Sequence, residues 1–163
     1  MNRSLFVIKP EAMPVRDKIR KLIVHTGLKI VRTVEVVIPA ATLDLLYTDL
    51  SPDLRRATQL FMGREPCEIG EVSGENAVKL LLAACGDSTD PSQCDRQTIR
   101  AIFGVRQAEH VGNAAYFKNA IHRPKTVEEA HRDLLVFSPL LTQTVDALSG
   151  RVTDGKIGKP NST

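Results

Sequence analysis

Residues 5–10 read Leu-Phe-Val-Ile-Lys-Pro, an apolar, partly β-branched run closed by a lysine and a proline. Such a run predicts a short buried strand. Moving outward, Val15, Ile19, Leu22 and Ile23 fall at i, i+4, i+7 and i+8, which is one face of a helix. Gly27 stands where glycine commonly ends helices. Leu28, Ile30, Val34, Val36 and Ile38 then share one parity, and Lys29, Thr33 and Glu35 the other. That alternation predicts a strand with one buried face, ended by Pro39.

The rest of the chain extends the pattern. Residues 41–50 read as a short helix. Ser51-Pro52 supplies an N-cap and a first-turn proline for a helix running to Met62. Residues 67–73 are a third strand, and 76–85 a helix stopped by Gly86. Residues 86–97 are polar and contain Pro91, so they read as a loop. Residues 98–103 make a helical turn, residues 105–118 show no period, and 119–122 form a short fourth strand. Thr126-Val127-Glu128-Glu129 is a capping box opening a helix with Val127, Ala130, Leu134 and Phe137 on its apolar face. One more weak helix fits after Pro139. From Ser149 onward glycine and polar residues dominate, and we expect a flexible tail.

The order β-α-β-α-α-β-α-loop-β-α predicts an α+β sandwich, for which helices on one face of an antiparallel sheet are one solution. The expected domain is 1–148, with a tail at 149–163. Composition agrees with a single globular domain: 163 residues, 42% hydrophobic and 25% charged. A net charge of +3 with 4% aromatic residues argues against a nucleic-acid platform. Cys67, Cys85 and Cys94 are odd in number and lack CxxC spacing. They read as reduced thiols of a cytoplasmic protein, neither a disulfide framework nor a zinc site. No run approaches the ~20 apolar residues of a membrane span, so no membrane association is expected. His25, His110 and His131 sit in no motif and form no metal-ligand pattern.

Several strings, in order, resemble one family. They are Phe6-Val7-Ile8-Lys9-Pro10-Glu11, Glu65-Pro66-Cys67, Asn76-Ala77-Val78, the loop Gly86 to Pro91, Thr98-Ile99-Arg100 with Phe103-Gly104, and Asn119-Ala120-Ile121-His122. Together they resemble the nucleoside diphosphate kinases over residues 4 to 138. The resemblance implies a ferredoxin-like βαββαβ sandwich with a four-stranded antiparallel sheet. It implies that His122 accepts the γ-phosphate of ATP or another nucleoside triphosphate and passes it to a nucleoside diphosphate, with Mg2+ held mainly by the phosphates rather than by a protein metal site. It further implies that Lys9 and Arg100 hold phosphate oxygens and that Thr89 adds a hydroxyl. Tyr47 would lie beside the phosphates and orient His122, Asn119 would contact the ribose side, and Asp133 would accept from the other ring nitrogen. A dimer-based homo-oligomer also follows from the resemblance.

The chemistry suits these residue types. A neutral imidazole is a good nucleophile near pH 7, and a covalent phosphohistidine splits the transfer into two similar steps. Phosphoryl transfer otherwise needs alignment and positive charge on the equatorial oxygens. The chain departs from the family at several positions. Leu82 stands where a second arginine is usual, and Leu54 where a phenylalanine stacks on the base. Pro124 replaces a serine and is flanked by Arg123 and Lys125. Asp133 is one methylene shorter than the usual glutamate. The segment between Phe103 and Asn119 is longer than in the family. Arg123, Lys118 or Arg106 could restore the missing charge. Two other readings therefore stand beside a divergent kinase. One is a catalytically weakened nucleotide-binding or protein-interaction module. The other is a specialised phosphotransferase with a different acceptor.

Overall fold

A computed structural model describes the backbone of residues 2–149 and the side chains through Thr142. Strand β1 is Arg3–Ile8, and a 3-10 turn over Pro10–Val15 leads into helix α1, Arg16–His25. Strand β2 is Lys29–Val36, followed by α2, Ala40–Leu46, and α3, Pro52–Met62. Strand β3 is Cys67–Ser73, α4 is Ala77–Cys85 and α5 is Ile99–Phe103. Two three-residue strands, β4 (Glu109–Val111) and β5 (Ala114–Tyr116), precede β6, Ile121–His122. Helix α6 is Val127–Ser149. The tail expected beyond it lies outside the described residues.

The main sheet has the order β2-β3-β1-β6, and every neighbouring pair is antiparallel. This is the expected four-stranded ferredoxin-like sheet. Its faces are both covered, which corrects the one-face arrangement. Phe6 and Ile8 of β1 pack with Ile19 and Ile23 of α1 and with Leu81 and Cys85 of α4. Leu5 and Val7 point the other way, toward Leu43 and Leu46 of α2, Met62 of α3 and Phe137 of α6. A strand covered on both sides favours a near-continuous apolar run, which accounts for residues 5–8.

Strand β2 departs from its simple alternation. Its pairing with β3 shifts between Ile30 and Arg32, so Val31 is an extra residue and is exposed. A bulge of one residue reverses the face of everything beyond it. Leu28 and Ile30 consequently join the cluster under α1 and α4, while Val34, Val36 and Ile38 join the opposite cluster.

Four further differences concern the C-terminal third. Residues 105–118, which show no period, contain the β4–β5 hairpin, whose strands are too short to reveal one. Helix α6 runs through Pro139 as one helix. Its buried side carries Ala130 and Phe137 as expected, but Val127 is exposed in the first turn. The capping box forms with a shift: Thr126 Oγ1 accepts from the Glu129 N–H at 3.1 Å, and Glu129 Oε2 accepts from the N–H of Lys125 at 2.7 Å.

Candidate active site

His122 ends β6, the edge strand beside β1, and pairs with Val7. The preceding backbone is unusual. Ala120 has φ +72°, and the N–H of Ile121 bonds the carbonyl of Asn119 at 2.9 Å, which closes a tight turn around Ala120. Such a conformation costs an alanine about 1–3 kcal/mol. It is held on both sides: the Lys9 N–H donates to the Ala120 carbonyl at 2.9 Å, and Glu11 Oε1 accepts from the Ala120 N–H at 3.1 Å. The strand-end lysine, the glutamate after it and the histidine strand thus form one unit.

The imidazole lies at a cleft of about 340 Å³. Its Nε2 is 2.8 Å from Asp133 Oδ2, and Asp133 is fully buried. A carboxylate can only accept here, so Nε2 carries the hydrogen and Nδ1 the lone pair. Nδ1 is 3.0 Å from the hydroxyl of Tyr47, which then donates to it. Burial pushes the His122 imidazole below its usual range; the hydrogen bond and charge of Asp133 raise it, and Lys9 and Arg100 lower it. The result favours a neutral ring with Nδ1 as its nucleophilic atom.

Cations surround this ring. Lys9 is 5% exposed, and its Nζ donates to the Tyr116 hydroxyl at 3.3 Å. Burial brings its pKa down to about 8, against the pull of Glu11. Arg100 donates from Nε and one terminal nitrogen to the Ile121 carbonyl, at 3.2 and 3.0 Å, and from the other to the Ser88 carbonyl at 2.7 Å. Arg123, Lys125 and Arg132 complete the set, with Glu129 as the acidic residue among the lining side chains. Leu46, Leu50 and Leu54 form an apolar wall facing Ala115, Tyr116 and Phe117 of the hairpin segment.

All eight residues singled out from the sequence line this cleft or bond to the histidine: Lys9, Tyr47, Leu54, Thr89, Arg100, Asn119, His122 and Asp133. Asn119 donates to the Thr89 carbonyl at 2.9 Å, so these two also touch. Leu82 is half-buried and outside the lining. Of the three cations considered as replacements, Arg123 alone lines the cleft. Lys118 lies over the Phe61 ring at 4.8 Å, and Arg106 is exposed elsewhere.

Sequence reasoning missed two residues of weight. Arg132 donates twice to Asp133 Oδ1, at 3.2 and 3.0 Å, on the far side of the carboxylate that holds His122. Tyr116 accepts from Lys9 while its ring stacks on Phe61 with centroids 5.1 Å apart. Arg132 carried one legible signal, its place beside Asp133 on a helix; Tyr116 lies in a segment without period and carried none.

A sheet of this topology, with a histidine amid lysine and arginine, makes this an α+β sandwich whose cleft suits anionic groups. The family model described as nucleoside diphosphate kinase matches residues 2–140, and the chain belongs to that family. Solved structures agree in fold. The nucleoside diphosphate kinase of Encephalitozoon cuniculi superposes with TM-score 0.71 at 23% identity, covering 84% of this chain and 88% of that one. A family protein from Babesia bovis gives 0.71 at 23%, covering 86% and 91%. The Borrelia burgdorferi enzyme, solved with vanadate and ADP as a transition-state mimic, gives 0.70 at 19%, covering 83% and 85%. No curated protein matches the sequence. Among the described residues, no helix is long and apolar enough to cross a membrane.

Proposed function

We propose that the chain is a divergent nucleoside diphosphate kinase that works through a phosphorylated His122. The observation that carries this reading is the imidazole held between Asp133 and Tyr47, with its lone-pair nitrogen in a cationic cleft. In the first half-reaction Nδ1 forms a bond to the γ-phosphorus of a nucleoside triphosphate. The bond from that phosphorus to the bridging oxygen breaks, and the diphosphate leaves with the electron pair. The Nε2 hydrogen stays between ring and Asp133, whose charge supports the imidazolium-like product. Tyr47 must yield Nδ1, and its hydroxyl can then donate to a phosphoryl oxygen. The second half-reaction reverses these steps onto another diphosphate.

The donor set also bears on magnesium. The lining offers ammonium and guanidinium groups with one carboxylate, which suits phosphate oxygens. Among the described residues no cluster of three metal-ligating side chains occurs. In this reading magnesium would arrive on the nucleotide phosphates, where it neutralises charge. Lys9 and Arg100 hold phosphate oxygens in this reading, Thr89 adds a hydroxyl contact, Asn119 lies toward the sugar, and Leu54 offers an apolar surface to the base. The three cysteines, free in the described structure, fit a cytoplasmic setting, and a dimer-based homo-oligomer completes the proposal.

The test is incubation with γ-labelled ATP and magnesium, beside His122→Ala. Acid-labile label on the native chain alone, discharged by a nucleoside diphosphate into triphosphate, is the expected result. Absence of label despite nucleotide binding would instead leave a binding module, the reading that Leu54 in place of a stacking ring favours. Label that no diphosphate discharges would indicate another acceptor.

A further inference from the structure

Two buried polar atoms at the cleft have no hydrogen-bond partner among the described residues: Oδ1 of Asn119 and Nε of Arg123. Arg123 follows His122 in the chain, is 4% exposed and lines the cleft. One terminal nitrogen of its guanidinium donates to the carbonyls of Gly86 and Asp87, at 2.7 and 2.8 Å. These bonds fix the group at the C-terminal end of α4. They use two of its five N–H donors. The nearest carboxylate is that of Asp87, 3.9 Å away on a side chain that is 81% exposed. A buried guanidinium without a close counter-charge is costly to desolvate. An anion supplied from the cleft would offset that cost and satisfy the remaining donors.

We infer that Arg123 is a phosphate-gripping residue of this cleft, acting on the terminal phosphate of a nucleoside triphosphate. The inference rests on the kinase reading for the position of that phosphate at His122. Adjacency to the histidine decides which part of the ligand is felt. The transferred group must reach Nδ1 of His122, and Arg123 lines the same cleft and acts electrostatically on Lys9 and Arg100, so its guanidinium bears on the phosphate end rather than on base or sugar. Its planar fork suits two phosphoryl oxygens at once. Arg100 and Arg123 are both anchored by backbone carbonyls of the 86–88 loop. That loop therefore sets the spacing of two cations before any ligand arrives, which reduces the ordering cost of binding.

The experiment compares the native full-length chain with Arg123→Gln and Arg123→Lys. Affinities for ATP, ADP and AMP are measured by calorimetry, and thermal unfolding is followed in parallel. Arg123→Gln should weaken ATP binding about tenfold more than ADP binding, the size of one charge-assisted contact. AMP binding should not change, and Arg123→Lys should recover part of the loss for ATP. Equal losses for all three nucleotides, or unchanged affinities with lowered thermal stability, would overturn the assignment and leave Arg123 as a staple between β6 and α4. A native chain that does not bind ATP would overturn it as well. The same samples, treated with γ-labelled ATP, separate the two ideas. An Arg123-dependent preference for ATP without label on His122 would refute the kinase reading and leave the phosphate contact standing.

Discussion

The carboxylate of Asp133 lies 2.8 Å from Nε2 of His122, although it is carried by a residue one methylene shorter than the family's glutamate. It is fully buried and also receives two bonds from Arg132. The shorter side chain therefore still reaches the ring.

Asp133→Asn should slow phosphorylation of His122 by about 10²-fold, because an amide no longer fixes the tautomer or supports the cation. Rapid-quench measurement of label incorporation gives the rate. Since Asp133 raises the imidazole pKa, the variant's His122 should titrate lower still. A rate within twofold of the native one would mean that Tyr47 alone orients the ring.

The lowered pKa of His122 has a definite sign in stability. The folded ring holds its proton less tightly than the unfolded one. Between the two pKa values the unfolded chain binds more protons, so stability rises with pH there. The contribution is fully present above the unfolded value near 6.5 and is lost as pH falls through the folded one. Denaturant titrations from pH 7.5 downward should show a loss that His122→Ala lacks. Proton NMR of the His122 ring should give a midpoint below the ordinary imidazole value of about 6.5.

Lys9 sets the opposite limb of a binding profile. With its pKa near 8 in the free protein, its positive charge is half gone by that pH. Affinity for ATP should fall about fivefold between pH 8 and 9 as the charged fraction drops. Lys9→Arg, which keeps its charge throughout, should flatten that fall. An identical slope in both proteins would show that Lys9 does not meet the phosphates. In stability the sign is like that of His122: the lowered pKa makes the fold gain as pH rises from about 8 toward the unfolded value of 10.5.

The hairpin is fastened at its tip. Gly112 has φ +58°, and a Cβ there would meet Asp53 Oδ2 of α3 at 2.4 Å. The same oxygen accepts from the Asn113 N–H at 2.9 Å, and that bond is the leading cause of the lowered Asp53 pKa. Gly112→Val should destabilise the protein by about 1–3 kcal/mol. It should also speed hydrogen exchange on β5, the wall that carries Tyr116. Unchanged exchange at Tyr116 would show that the strands hold without this tip contact.

Much of this architecture is written locally. The run at 5–8, the Ser51 cap, whose Oγ accepts from the Leu54 N–H at 3.3 Å, and the stop at Gly86 depend on near neighbours, and sequence reveals them. The bulge at Val31 was not legible, because an even alternation of Leu28 to Ile38 continues across it in sequence and reverses only in space. Pro139 reads as a break in the sequence, yet α6 continues through it. At the site, His122 and Asp133 are eleven residues apart, but Tyr47 is 75 residues from the histidine it touches. Spacing could not join them; the family resemblance did. It had no counterpart for Arg123 and Tyr116, whose partners, the carbonyls of Gly86 and Asp87 and the ammonium of Lys9, come near only once the chain has folded.

Arg100 carries one last consequence. Its guanidinium ties the Ser88 carbonyl to that of Ile121, so it braces the loop against the histidine strand whether or not a nucleotide is present. A protein of this fold that turned over no nucleotides would still gain from keeping it, merely to stay folded. Retention of this arginine in such a protein is therefore a poor marker of enzymatic life. Asn119 divides the two roles within one amide: its Nδ2 donates to the Thr89 carbonyl, while among the described residues its Oδ1 has no partner and is left for a ligand.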